Sequence, residues 1–185
     1  MPDASRLLLI VGLLSSQALH AAGTLEVTVL RQRVSGGAFF EVHASGFAHG
    51  SIEHAWQLLT DYERQSDYVP NLTSAKIISR NGNEVTLDQD GRGGFFFFKR
   101  PVHLHVHIVE TPKLTIDVAL LSGDMKRYTA HWQLTAVDVG GDAGTRIDYG
   151  GNLEPDFFVP PLIGNAILQN DVRKMMMAVI DEIEK

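Results

Sequence analysis

The fold is decided by the segment Leu168-Gln-Asn-Asp-Val-Arg-Lys-Met-Met-Met-Ala-Val-Ile-Asp-Glu-Ile183. Its apolar residues recur every three or four positions, the spacing that places side chains on one face of an α-helix. This stripe consists of Leu168, Val172, Met175, Val179 and Ile183, widened by Ile167, Met176 and Ile180. Because so wide a stripe has to be covered by another layer, the segment predicts a long C-terminal helix packed on a β-sheet.

The sheet is expected from the residues before this helix. Residues 24–34 and 38–47 are rich in β-forming residues and flank Ser35-Gly-Gly37, which predicts an opening hairpin. Residues 72–153 contain further strand-like runs, which predict a meander of five strands. The turn signals between these runs lie at 81–83, 91–94, 111–113, 122–124 and 140–142.

A short helix is expected between the hairpin and the meander. Ile52, Ala55, Trp56 and Leu59 have helical spacing, and Ser51 precedes them as an N-cap. Residues 61–68 then form a turn or a broken second helix, because Pro70 bars continuation. Together the elements predict one α+β domain in which a curved antiparallel sheet and the long helix enclose an apolar cavity.

Composition and the first residues limit the class of function. The 185 residues carry 16 basic and 22 acidic side chains, so a net charge of −6 argues against a nucleic-acid partner. Residues 1–22 resemble a secretory signal peptide, since Arg6 precedes the apolar run 7–14 and small residues follow. We therefore expect a bacterial protein that is exported, periplasmic or secreted, with its domain at 23–185. The chain contains no cysteine, so no disulfide stabilises it.

Five motifs carry a resemblance to a known family. From about residue 45 to the C-terminus the chain resembles the START-like (SRPBCC) superfamily, in particular its polyketide cyclase/dehydrase and coenzyme-Q-binding branch. The motifs are Ala55-Trp-Gln-Leu-Leu-Thr-Asp-Tyr-Glu-Arg64 with Tyr68-Val-Pro70, Gly123-Asp-Met-Lys-Arg-Tyr128 leading to Trp132, Thr145-Arg146, and Glu154-Pro-Asp-Phe-Phe-Val-Pro-Pro161.

The resemblance implies a helix-grip fold whose cavity holds a lipid, a quinone, a polyketide or a similar apolar molecule. It does not imply catalysis, because some members of the family only bind or carry their ligand. No cofactor is expected, and the oligomeric state is left open. The side chains expected to contact the ligand are Trp56, Phe96, Phe98, Tyr128, Trp132, Leu168, Val172, Met175, Met176 and Val179.

Four consecutive phenylalanines, residues 95–98, follow Gly93-Gly94. They are interpreted as a core strand or a sheet bend. In the alternative, half of them lie in the cavity or at its mouth, where they gate the ligand or make a transient membrane contact.

His103, His105 and His107 stand at every second position, so in a strand all three project from one face. Three imidazoles are a ligand set for zinc, but residues two apart on a strand lie about 6–7 Å apart, so further ligands would be needed. The alternative interpretation places the histidines in solvent and Val102, Leu104, Val106 and Ile108 toward the cavity.

A cyclase would need an acid or base and a hydrogen-bond donor in the same cavity. The polar residues considered for these roles are Asp61, His131, Arg146 with Asp148, and Tyr149. In the alternative interpretation Asp61 caps the turn after the first helix, and Arg146 and Asp148 lie on the outer surface. Three hypotheses result: a carrier of a hydrophobic molecule, a cyclase or dehydrase, and an interaction protein whose cavity is filled.

Overall fold

The computed structural model describes residues 24–34, 37–95, 98–139, 142–160 and 163–185. The expected signal peptide, residues 1–22, lies outside the described residues. Eight strands form one antiparallel sheet in the order β1-β2-β8-β7-β6-β5-β4-β3. The strands are β1 Glu26–Val34, β2 Gly37–Ala48, β3 Leu72–Asn81, β4 Glu84–Phe95, β5 Phe98–Thr111, β6 Thr115–Gly123, β7 Met125–Val139 and β8 Asp142–Pro155.

The opening hairpin is present, with Val34 opposite Gly37, and it joins the rest of the sheet through β2 and β8. The meander has six strands, so the prediction of five was wrong. The turn expected at 91–94 was also wrong, because these residues continue β4, which pairs with β5 as far as Phe95 and Phe98.

The sheet is curved and departs from regular pairing at several points. Register shifts occur twice between β3 and β4 and once each in the pairings of β5 with β6 and β7 with β8. Such bulges bend a strand and increase its twist. Gly123 allows the tight turn into β7: its φ is +137°, and a Cβ there would lie 2.3 Å from the His103 carbonyl oxygen.

Two short α-helices and a 3-10 helix between them connect the hairpin to the meander. Helix α1, Ile52–Thr60, begins at the predicted cap, where the Ser51 hydroxyl accepts a hydrogen bond from the His54 amide. A 3-10 helix, Tyr62–Arg64, and α2, Gln65–Tyr68, follow it, which confirms the broken second helix.

The long C-terminal helix is α3, Gly164–Ile183. It packs against β1, β2 and α1, so it lies toward one end of the sheet. Val172, Met176, Val179 and Ile183 are buried there. A helix across a curved antiparallel sheet is the helix-grip arrangement. Within the described residues, no helix is both long and apolar enough to span a membrane.

Candidate ligand-binding cavity

A mostly apolar cavity of about 300 Å³ lies between the sheet and the helices. Three walls enclose it: the inner face of strands β4–β8, the segment from the end of α1 to the start of β3, and the C-terminal part of α3. Its volume is at the lower end of the range for pockets that bind small molecules, about 300–1,000 Å³.

Helix α3 contributes Met175 and Val179 to the wall. The other residues predicted to contact a ligand from this helix do not line it: Val172 and Met176 are buried in the core, and Leu168 packs against that core. The expectation that Leu168, Val172 and Met176 contact the ligand was therefore wrong. The helix lies over β1 and β2, so only one edge of its stripe reaches the cavity.

Strand β5 shows how the sheet forms the opposite wall. Val102, Leu104 and Ile108 line the cavity, and Val106 is fully buried between them. Successive side chains of a strand point to opposite faces, so the alternate residues lie on the outer face. On the next strand, Val118 lines the cavity in the same way.

Aromatic residues of β7 and β8 supply the polar groups at this wall. Trp132 and Tyr149 are directly opposite each other, with ring centroids 4.7 Å apart. Burial raises the pKa of both the Tyr149 and the Tyr128 phenol, and the neighbouring Tyr128 raises that of Tyr149 further. Gly151 leaves room for this pair, since a Cβ there would lie 2.9 Å from the Tyr149 hydroxyl.

The cavity reaches the surface near Arg92, which is exposed and lines it. Asn71, with a φ of +68°, accepts a hydrogen bond from the Arg92 amide through its carbonyl oxygen (2.8 Å). This bond fixes the loop after α2 to strand β4. Gly91 permits the contact, because a Cβ there would come within 2.9 Å of the Asn71 oxygen.

A buried ionic group, which no sequence pattern predicted, supports the helical wall. The Tyr62 hydroxyl donates to the Glu110 carboxylate (2.8 Å), which Arg80 also contacts through two bonds of 3.0 and 3.1 Å. Glu110 is buried, and burial is the largest cause that raises the pKa of Tyr62. The three residues lie on separate elements, so no local pattern could have predicted their contact.

Of the residues considered for acid or base chemistry, Tyr149 alone lines the cavity. His131 is exposed on the outer face and pairs with Asp117 (2.6 Å), and Arg146 pairs with Asp148 (3.1 Å). Asp61 caps the end of α1 through its backbone. The structure therefore does not bring the proposed acid, base and donor together.

The three alternating histidines lie on the outer face, each beside a carboxylate of β4. His103 contacts Asp90 at 2.9 Å, His105 contacts Asp88 at 2.5 Å, and His107 contacts Glu84 at 3.4 Å. Asp90 raises the pKa of His103 by hydrogen bonding to it. No set of three or more metal-ligating side chains suited to a metal ion occurs in the part of the chain that the structure describes.

The remaining residues predicted to contact a ligand are placed as follows. Tyr128 and Trp132 line the cavity. Trp56 is half-buried and packs against the core without lining the cavity. Phe96 lies outside the described residues, and Phe98 is described only as a backbone position in β5.

Fold and cavity together define a START-like helix-grip protein. A family model described as polyketide cyclase/dehydrase and lipid transport matches residues 49–180. The chain belongs to this family. No curated protein matches it significantly.

Similar solved structures show the same fold at low sequence identity. The Zhui aromatase/cyclase from Streptomyces sp. R1128 has a TM-score of 0.66 and 12% identity, over 79% of this chain and 94% of that one. A STAR-related lipid transfer protein from Xanthomonas axonopodis has a TM-score of 0.65 and 13% identity, over 89% and 100%. A START superfamily protein from Mycobacterium smegmatis has a TM-score of 0.64 and 15% identity, over 78% and 97%.

Proposed function

We propose that the protein binds and carries a hydrophobic small molecule, such as a lipid, a quinone or a polyketide-like compound, in the cavity between sheet and helices. The observation that carries the proposal is the chemistry of the lining. Among the lining residues that the structure describes there is no carboxylate and no imidazole, whereas Leu, Ile, Val, Met and aromatic side chains form most of the wall. Such a lining gains affinity from apolar burial, at roughly 25 cal/mol per Å².

The size of the cavity limits the ligand. About 300 Å³ corresponds to roughly ten water volumes, which suits one ring system or one short acyl chain. A diacyl lipid would have to leave part of its structure outside, near Arg92. Trp132 and Tyr149 offer ring surfaces, and the hydroxyls of Tyr128 and Tyr149 can donate a hydrogen bond to a carbonyl oxygen. These groups orient the ligand.

The tyrosine pair also supports a second candidate, an enzyme of the cyclase or dehydrase type. A hydroxyl that donates to a carbonyl oxygen could stabilise an enolate formed there, with a water molecule as the acceptor of the carbon-bound proton, since the described lining has no carboxylate or imidazole. In that case turnover of a polyketone would depend on pH and would be lost in Tyr149→Phe. A carrier would keep its ligand in the same variant, with an affinity reduced by the loss of one hydrogen bond. The two roles are separated by measuring turnover and binding on one preparation.

We also propose that the protein acts outside the cytoplasm. The proposal is supported by the sequence of residues 1–22, which has the basic residue, apolar run and small-residue region of a signal peptide. It is tested by fractionating cells that express the full chain and determining the N-terminus of the mature protein. An N-terminus at Ala22 or Gly23 is expected. Recovery of an uncleaved chain in the cytoplasm would contradict export.

The binding proposal is tested by filling the cavity. Val118 lines it, and its neighbour Ala119 is exposed on the outer face of the same strand. Val118→Trp should weaken binding of a neutral fluorescent probe, N-phenyl-1-naphthylamine, by about tenfold or more because the indole occupies the ligand's space. The matched control Ala119→Trp should bind like the parent protein. Equal probe binding by both variants, with thermal unfolding unchanged, would contradict the proposal.

A further inference from the structure

The connection between β8 and α3 contains seven consecutive nonpolar residues, Phe157-Phe-Val-Pro-Pro-Leu-Ile163. In the described part of this connection, 157–160 and 163, Phe158 is 80% exposed and Ile163 is 47% exposed. Phe158 is the most exposed of the large hydrophobic residues that the structure describes. Exposed apolar surface of this kind marks an interaction site more often than a scattered single residue does.

The neighbouring side chains hold this connection in place. The Arg31 guanidinium donates to the carbonyl oxygens of Pro160 (3.0 Å) and Val159 (3.1 Å). The Arg100 guanidinium stacks over the Phe157 ring, 4.8 Å from its centroid. With Phe157 held by Arg100 and the following carbonyls held by Arg31, Phe158 is presented to solvent.

A broad hollow of about 720 Å³ lies beside Phe158. Arg31, Arg33 and Lys126 line it together with Phe157 and Phe158, and Asp156 is the acidic residue of its wall. The hollow is thus basic on one side and aromatic on the other. A polar headgroup with a negative charge, attached to an apolar chain, fits that combination.

Charge is distributed unevenly over the molecule, and this connection lies in a basic region. The basic side chains around it are Arg31, Arg33, Arg100, Lys126 and Arg127. Three acidic side chains accompany them, and each contacts one of the basic ones: Asp124 with Arg100, Asp156 with Lys126 and Glu154 with Arg127. The positive charges of Arg31 and Arg33 are left in excess, although the chain as a whole carries −6.

The basic region adjoins the ligand cavity. Gly93 lines the cavity, and a Cβ at Gly93 would lie 3.9 Å from Cζ of Phe157. Met125, which precedes Lys126, also lines it. The Phe157 ring therefore lies between the cavity and the basic hollow, so a molecule that leaves one enters the neighbourhood of the other.

We propose that residues 157–160 and Ile163, with the basic side chains around them, dock the protein on the surface of a membrane that contains anionic lipid. Phe158 enters the boundary between headgroups and acyl chains, as aromatic residues of peripheral proteins do. Arg31, Arg33 and Lys126 contact the anionic headgroups, whose attraction falls off within a Debye length. Docking places the cavity next to a membrane from which it could take up its ligand. This role of docking in ligand uptake rests on the proposed function, but docking itself does not.

Docking is tested by co-sedimentation of the ligand-free protein with vesicles. Vesicles of phosphatidylcholine with phosphatidylglycerol should bind the protein about tenfold or more tightly than vesicles of phosphatidylcholine alone, and added salt should release it. Phe158→Ser should weaken binding by about tenfold, whereas Leu121→Ser, at a site that is 55% exposed on β6, should not. Arg33→Glu should weaken it further than Lys76→Glu, an exposed change on β3.

Each alternative outcome overturns the proposal. Equal loss in Phe158→Ser and Leu121→Ser, or no binding to anionic vesicles by the parent protein, would show that this connection is not a lipid-docking surface. A dimer that forms in solution and is abolished by Phe158→Ser, without vesicle binding, would assign the surface to a second copy of the chain. Probe binding in the cavity, measured on the same variants, should be unchanged, which separates this test from that of the ligand.

Discussion

The two faces of strand β5 are built from the same short segment but differ in chemical character. Val102, Val106 and Ile108 are buried on the inner face, where the cavity lies, while His103 and His105 stand on the outer face beside carboxylates of β4. The inner face offers a ligand apolar surface. On the outer face the polar side chains pair with one another, since each of these histidines has a carboxylate partner on the neighbouring strand.

This difference shows on which face of the sheet the titratable side chains lie. Among the described residues, the acidic and imidazole groups considered for catalysis lie outside the cavity, and its polar lining residues are tyrosines, a tryptophan, glutamines, Asn71 and Arg92. The face of the sheet that is rich in titratable groups is therefore not the face that lines the cavity.

The largest expected difference between the two faces is in how much a substitution lowers the free energy of unfolding. Leu87 on β4 is fully buried against Val106, and its neighbour Asp88 points outward to His105. Leu87→Ala should lower the free energy of unfolding by about 2–5 kcal/mol because it leaves a cavity in the core. Asp88→Asn should change it by less than about 1 kcal/mol. Urea unfolding of both variants checks the contrast, and similar losses would contradict the assignment of faces.

Alkaline titration of the tyrosines tests whether their phenols are buried. All four tyrosines, Tyr62, Tyr68, Tyr128 and Tyr149, have pKa values raised above the usual 10.0, with burial as the largest cause. The folded state holds these protons more tightly, so their contribution to stability is complete below about pH 10 and is lost as the pH rises above it. Absorbance at tyrosinate wavelengths should therefore rise only together with unfolding. Ionisation of a folded protein near pH 10 would contradict burial.

Removing one hydroxyl tests the buried ionic group. Tyr62→Phe should lower the free energy of unfolding by about 1.5–3 kcal/mol, because the hydroxyl donates to a buried carboxylate. Tyr68→Phe is the control, since its hydroxyl makes only a 3.4 Å bond to the Leu58 carbonyl oxygen and should cost less. Thermal unfolding of the two variants gives the comparison. A larger loss in Tyr68→Phe would contradict the role assigned to Glu110.

The smallest effect on the free energy of unfolding is expected from a substitution on the outer face. The hydrogen bond that the His103 imidazole donates to Asp90 raises the pKa of His103 above its usual 6.5, and the same bond lowers the pKa of Asp90 below its usual 3.8. The histidine's share of stability is present below about pH 6.5 and fades as the pH rises through its folded pKa, while the aspartate's share is lost in acid. Asp90→Asn should return the His103 pKa, measured by NMR, toward 6.5 and cost at most about 1 kcal/mol.

Alternation and spacing predicted much of this arrangement. They predicted the two faces of β5, the cap at Ser51 and the long helix. They failed at Gly91, where glycine marks a close approach of the Asn71 carbonyl rather than a turn. They also could not tell that Tyr149 lies opposite Trp132 and faces the cavity, away from His131, because strand register depends on contacts distant in sequence.

The central claim is that the inner face holds a hydrophobic molecule. The most direct measurement is native mass spectrometry of the protein as purified, followed by solvent extraction and identification of the released compound. We expect a bound apolar molecule of a size that fits about 300 Å³, present in the parent protein and in Ala119→Trp and depleted in Val118→Trp. Ligand-free protein that also binds no neutral apolar probe, or equal occupancy in both variants, would contradict the claim.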